Sequence, residues 1–158
     1  IRIEGCEADD VIGAICEAHN NPSPILIISP DRDFVQLQKY PNVKQYSNLQ
    51  KKWVEPEVSA EYDLLVKVLK GDTGDGVPNV LSPDNTFVDG LRQRPLGKKK
   101  IQSWVEHNIE DVLPNDEVKR NYQRNKKLID LTCCPEELSS EIIHTYKESF
   151  HVKRHTIF

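Results

Sequence analysis

Three short acidic clusters hold the residues of this 158-residue chain best suited to chemistry. They are Glu7-Ala-Asp9-Asp10, Asp31-Arg-Asp33 and Gly71-Asp72-Thr-Gly-Asp75-Gly76. Crowded carboxylates repel one another and are relieved by a cation. No histidine or cysteine is interleaved, so the donors suit hard metals: Mg2+ or Mn2+ fits and zinc does not. Two basic runs follow, Arg92–Lys100 and Lys119–Lys127, each with five bases and no acid. Acids in three clusters with bases downstream describe metal-dependent chemistry on a phosphodiester. Two hard cations would stabilise the attacking and leaving oxygens, while lysines and helix N-termini hold the phosphates.

Each cluster also has a plainer reading. On a helix Glu7 and Asp10 share a face, with Asp9 displaced around the axis. Acids nevertheless belong in a first helical turn for capping and dipole reasons. An extended backbone would put the Asp31 and Asp33 carboxylates on one side. The plainer alternative is a capped turn, with Asp33 starting the next helix. Asp-Thr-Gly-Asp-Gly is ordinary turn chemistry and lacks the later ligands of a calcium loop. Its amides could form a concavity for an anion such as phosphate.

The elements that must position these residues can be read from periodicity. Ala8, Val11, Ile12, Ile15 and Ala18 make an apolar stripe, predicting a helix over 7–19 that Asn20, Asn21, Pro22 and Pro24 stop. Ile25-Leu-Ile-Ile-Ser29 is an unbroken apolar run, the pattern of a parallel strand buried on both faces. Sites in open parallel sheets form outside the carboxyl ends of strands, which is where Asp31 and Asp33 fall. A short helix through Phe34, Val35 and Leu37 follows, then short strands over Val43–Ser47 and Lys52–Val54. A second helix over Ser59–Lys70 is closed by Gly71. Residues 72–97 read as a long irregular connection, and Lys98–His107, Glu117–Ile129 and Glu136–Phe150 as helices. The pattern predicts an α/β part over residues 1–58 and a helical part over 59–158.

Composition narrows the function class. The hydrophobic share is 37% and the charged share 29%, a soluble globular balance. No run is long enough to span a bilayer, so no membrane partner is expected. The net charge of -4 argues against nucleic acid only when averaged. Residues 1–40 hold seven acids against three bases, so the first quarter carries all the excess. The four cysteines, Cys6, Cys16, Cys133 and Cys134, form no C-x-x-C pair and read as reduced thiols packed as small hydrophobes. There is no methionine and the first residue is Ile1, which suggests a processed product or part of a longer reading frame.

The order and wording of the clusters resemble the 5′-nuclease family of flap endonucleases and 5′→3′ exonucleases. The matching stretches are Gly5-Cys-Glu-Ala-Asp-Asp-Val-Ile12, Ile27-Ile-Ser-Pro-Asp-Arg-Asp-Phe34-Val-Gln-Leu37 and Leu69-Lys-Gly-Asp-Thr-Gly-Asp-Gly-Val-Pro78. Lys39-Tyr-Pro-Asn-Val-Lys-Gln45 and Lys51-Lys-Trp-Val54 look most like the ribonuclease H branch of T-even-type bacteriophages. The resemblance is sharp from residue 5 to about 80 and looser beyond. It implies a partial PIN-like parallel-sheet core followed by a helix-three-turn-helix module. It implies removal of RNA primers and 5′ flaps during DNA replication by a monomer in the host cytoplasm. The implied substrates are duplex or flap DNA and RNA–DNA hybrid, with replication proteins as partners.

The resemblance also implies roles for individual residues. Glu7, Asp9, Asp31 and Asp33 match metal-site acids of the catalytic centre, and Asp10 matches a further acid of the phage and bacterial branches. Asp72 and Asp75 match the last acidic pair, with Asp75 acting through water. The implied cofactors are two Mg2+ ions, with Mn2+ able to substitute, and K+ at the helix-three-turn-helix. Gly71, Gly74 and Gly76 fall in the first part of that module. Gly97, Lys98, Lys99 and Lys100 open its second helix, where they would grip the duplex backbone. Residues 81–94 lengthen the usual link between those halves. The family also carries earlier strand-end aspartates that have no counterpart before Ile1, so this stretch by itself is expected to lack efficient nuclease activity.

Other residues carry weaker signals. Three lysines at the positive end of a helix dipole are unfavourable without a phosphate partner. The bases of Lys119–Lys127 read as a solvated helical face. Trp53, Trp104 and Tyr122 could stack on bases, with core packing as the default. His151 and His155 share i, i+4 spacing without a third ligand. An aspartate-nucleophile phosphatase also places Asp-x-Asp after a buried strand, but Phe34-Val35-Gln36 lacks the small residue such enzymes want. A non-cleaving DNA-binding module derived from a nuclease is the remaining alternative.

Overall fold

The structure is a computed structural model and describes residues 1–19 and 23–149. The Asn20-Asn21-Pro22 stop signal, Phe150, His151 and His155 lie outside the described residues. The chain divides into two units. One is Ile1–Val54 with the described part of Cys134–Phe158, and the other is Glu55–Cys133.

In the first unit, helix α1 spans Ala8–Ala18 and buries Gly13, Ala14 and Cys16. It packs on helix α6, Glu136–Ser149, through a cluster of Ile3, Ala14 and Ile142 bordered by Val11, Ile15 and Ile143. Strand β1, Ile25–Ile28, pairs in parallel with β2, Val43–Ser47, Ile25 lying opposite Val43 and Ile28 opposite Tyr46. A 3-10 helix over Arg32–Lys39 connects them and buries Phe34, Val35 and Leu37. The short strand β3, Lys52–Val54, runs antiparallel to β2.

Two expectations about the sheet are corrected here. The sheet is mixed rather than parallel, because a short turn joins β2 to β3 and only antiparallel strands can be joined so tightly. Nor is β1 buried on both faces. Alternation puts Ile27 on the buried face, while Leu26 and Ile28 on the other face remain 52% and 63% exposed.

In the second unit, helix α2 spans Ala60–Lys70. Ser59 Oγ caps it by accepting from the Tyr62 amide. Helix α3 is Lys98–Val105, α4 is Ile109–Val112 and α5 is Asp116–Ile129. The short α4 is absent from the sequence reading, since four residues are too few to show a period. Val68, Leu69, Val77, Val80, Ile101, Trp104 and Tyr122 build the core of this unit. Trp104 and Tyr122 thus take the packing role. Trp53 in the other unit does not, being 54% exposed with its ring edge-on to Tyr46. Among the described residues no helix is long and apolar enough to cross a membrane.

Candidate metal centre and backbone-binding loop

In the first unit the acids gather at the carboxyl end of β1. A cavity of about 540 Å3 lies between α1 and β1, lined by Asp9 and Asp31 with Ile12, Ile15, Ile27 and Phe34. The Asp9 carboxyl is pushed above the usual carboxylate range by burial, then by the negative charges of Asp31 and Asp33, then by Glu7 and Asp10. Crowded, partly dehydrated anions of this kind are what a bound cation relieves. All the donors are carboxylate oxygens, which suits a hard divalent ion.

The plainer readings of these acids are present in the same geometry. The Glu7 amide donates to Asp10 Oδ2 at 2.9 Å, so Asp10 closes the start of α1. Asp31 caps the 3-10 helix, its Oδ1 accepting from the Asp33 amide at 3.0 Å. The backbone therefore coils after Asp31 instead of staying extended, and simple alternation does not set where Asp33 points. On α1, Asp9 is the acid that faces the cavity, while Asp10 also bears on the Cys6 and Cys134 thiols, adding to the burial that raises both.

In the second unit Asp72 and Asp75 sit in a tight loop after α2. Gly71 ends that helix at φ +70°, and a Cβ there would lie 2.3 Å from the Val77 carbonyl oxygen. Asp72 and Val77 exchange backbone hydrogen bonds of 2.8 and 2.7 Å. Asp72 Oδ1 accepts from the Gly74 and Asp75 amides, and Oδ2 pairs with Lys67 Nζ at 2.9 Å. The Lys67 hydrogen bond holds the Asp72 carboxyl below its usual range. Asp75 is exposed.

Gly97 is the N-cap of α3, so Lys98, Lys99 and Lys100 form its first turn, with no acid among them. All three are exposed. Lys98 and Lys99 have no ion-pair partner among the described residues, and Lys100 lies 5.1 Å over the Trp104 ring.

Two family models match the chain. The model described as "5'-3' exonuclease, N-terminal resolvase-like domain" covers residues 1–63, and that described as "T4 RNase H, C terminal" covers residues 58–158. The chain belongs to the T4 RNase H C-terminal family. It is 39% identical over 151 residues to the ribonuclease H of Enterobacteria phage T4, covering 91% of this chain and 49% of that protein. It thus spans about half the length of that curated relative. A mutant T5 5′-exonuclease and a T5 flap endonuclease crystallised with DNA and metal ions share its fold, each at TM-score 0.66 and 18% identity. Both matches cover 94% of this chain, and 68% and 61% of those chains respectively. The resemblance of the motifs to the ribonuclease H branch of the 5′ nucleases is borne out, and so is an α/β fold of the PIN-like kind.

Residues that the sequence reading missed hold this T4 RNase H-like frame around the acids. Gln45 of β2 is 1% exposed, and its Nε2 donates to the carbonyls of Ser29 and Asp31 at 2.9 and 2.6 Å. It therefore fixes the turn that carries Asp31. On α5, Asn121 donates to the carbonyls of Val80 and Ser82, and Asn125 to those of Val68 and Pro78. Arg124 donates to the Pro78 carbonyl and pairs with Asp84. Arg124 thus turns inward from the basic run, while Lys119, Arg120, Lys126 and Lys127 stay exposed as a solvated face. The long link 81–94 is also tied at its base: Gln93 Oε1 accepts from the Asn79 amide, and Ser82 Oγ from the Arg94 amide. No sequence pattern announces these contacts, because most join residues 12 to 57 positions apart.

Proposed function

We propose that this chain is part of a metal-dependent 5′→3′ exonuclease or flap endonuclease of the ribonuclease H type. It would cleave phosphodiester bonds to remove RNA primers and 5′ flaps in DNA replication. The observation that carries this reading is the convergence of Asp9, from α1, and Asp31, from the turn after β1, on one cavity at the carboxyl end of that strand. Asp33, Glu7 and Asp10 add charge to the same rim. The family membership and the likeness to the T4 protein support it.

In this proposal Glu7, Asp9, Asp10, Asp31 and Asp33 hold Mg2+, or Mn2+ in its place, with Asp72 and Asp75 as the further acidic pair. Two hard divalent ions bound there supply positive charge opposite the oxygens of the phosphodiester. The turn held by Gln45 keeps Asp31 in position. Gly71, Gly74, Gly76 and Gly97, with Lys98 to Lys100, form a helix-three-turn-helix that holds the phosphates of a DNA duplex or RNA–DNA hybrid. A phosphate beside α3 offsets the cost of three lysines at the positive end of its dipole. K+, expected at this module, would have to share the Pro78 carbonyl with the Arg124 guanidinium, which already brings a positive charge there.

Replication proteins are the proposed partners, and a host cell's cytoplasm the proposed compartment. This stretch alone is proposed to turn over slowly, since it spans 49% of the T4 relative. Robust Mg2+-dependent 5′ cleavage by the purified 158-residue chain would overturn that part. In the complete parent protein, Asp31→Asn should lower cleavage on the order of a hundredfold or more while duplex affinity at moderate salt holds. Unchanged single-turnover cleavage of a 5′-flap substrate would refute the role given to Asp31.

A further inference from the structure

Four backbone carbonyls, those of Val68, Pro78, Val80 and Ser82, turn toward one face of α5. Oxygens converging in this way form a patch of partial negative charge that must be met by donors or by a cation. Two neutral amides, the fully buried Asn121 and Asn125, donate one hydrogen bond to each of the four. A full charge adds a second donor at Pro78. Arg124 Nη2 donates to Pro78 O at 3.0 Å, its Nε to Asn125 Oδ1 at 2.9 Å, and its Nη1 reaches Asp84 and Asn121 Oδ1. The Arg124 side chain is 18% exposed, whereas that of Asp84 is 65% exposed. The guanidinium is thus fixed on the loop side of α5, with its charge only partly offset.

We infer that Arg124 is a built-in cation of the loop 77–84. It occupies the position at which a monovalent metal ion would otherwise be needed to order the loop, and it makes the loop's hold on a duplex independent of K+. The chemistry favours this. A guanidinium stays charged at all relevant pH values and presents planar N–H donors to several acceptors at once. K+ would bring the same charge, but its occupancy would follow its concentration. Arg124 is a positioning residue here, acting through the loop backbone and touching no substrate. The effect on DNA rests on the nuclease reading above, but the effect on loop order does not.

The test compares the 158-residue chain and its Arg124→Gln variant in KCl, NaCl and choline chloride at equal ionic strength. Two readouts are used: thermal unfolding, and fluorescence-anisotropy binding of a 5′-flap duplex. The native chain is expected to unfold at the same temperature and bind equally in all three salts. Arg124→Gln is expected to unfold earlier in choline and to recover in KCl. Its affinity should fall about threefold to tenfold in choline, with part regained in KCl. Arg124→Lys, which keeps the charge and loses the fork, should remain indifferent to K+. A native chain already stabilised by K+ over choline overturns the inference, as does a folded Arg124→Gln variant indifferent to K+ in both readouts. If the native chain binds no duplex at all, the DNA reading fails, and the unfolding temperatures alone decide the role of Arg124.

Discussion

Asp9 shows what a single residue of the candidate centre contributes. Its carboxyl is raised from the ordinary value of 3.8, first by burial and then by Asp31 and Asp33. A raised carboxylate costs the folded state as pH climbs. Below the ordinary value the group is protonated in both folded and unfolded chains, and nothing is lost. As pH rises through the higher folded value, the unfolded chain gives up its proton more readily, and stability falls. Asp9→Asn should therefore raise the unfolding temperature near neutral pH without divalent ions, and change little in acid. With Mg2+ at a hundredfold excess over its Kd, the native chain should gain about 2.7 kcal/mol, and the variant clearly less. Thermal melts at two pH values, with and without Mg2+, check both signs. A variant less stable than the native chain at neutral pH in EDTA would show that the buried, crowded charge of Asp9 does not burden the folded state.

At the scale of elements, the loop after α2 depends on one backbone conformation. Gly71 has φ +70°, and the space its Cβ would need is taken by the Val77 and Pro78 backbone. A side chain there is strained both by φ and by contact with atoms that cannot rotate away. Gly71→Ala should cost about 2–4 kcal/mol in urea denaturation, against less than about 1 kcal/mol for the same change at Gly97, whose φ is -75°. Equal losses at the two sites would contradict this. Gly71 was legible in the sequence because a helix-closing glycine is a local signal. So were α1, β1, α2 and α5, whose periods extend over enough residues to count. The antiparallel direction of β3 and the four-residue α4 were not, because strand direction and single helical turns are set by neighbours. The five acids of the first unit could be read as a group, since motif and strand end name them. Gln45 could not, because its alternation in β2 says that it is inside and nothing says what it bonds. Arg124 shares its sequence signal with the exposed bases around it, and only the fold separates them.

Across the whole molecule, charge decides how the two activities of the proposal, holding metal and holding DNA, affect one another. The chain carries -4 overall, and residues 1–40 hold seven acids against three bases. Lys98 and Lys99 are exposed and unpaired among the described residues. Without metal, the uncompensated carboxylates repel the polyanion that the lysines attract. A like-charge pair ~20 Å apart in water costs about 0.2 kcal/mol in general, and several phosphates add. Removing two carboxylates should then improve duplex binding by about 1 kcal/mol, roughly fivefold, provided salt does not screen the effect. The Debye length is about 30 Å at ~10 mM salt and about 8 Å at ~150 mM. The double variant Asp31→Asn/Asp33→Asn should therefore bind a duplex more tightly than the native chain in EDTA at ~10 mM salt, and equally at ~150 mM. Mg2+ should bring the native chain toward the variant at low salt, since bound cations cancel the same charge. Anisotropy titrations across salt, with and without Mg2+, measure it. If the two chains bind alike at low salt in EDTA, the acidic first quarter does not act on the duplex, and the lysines of α3 set DNA affinity by themselves.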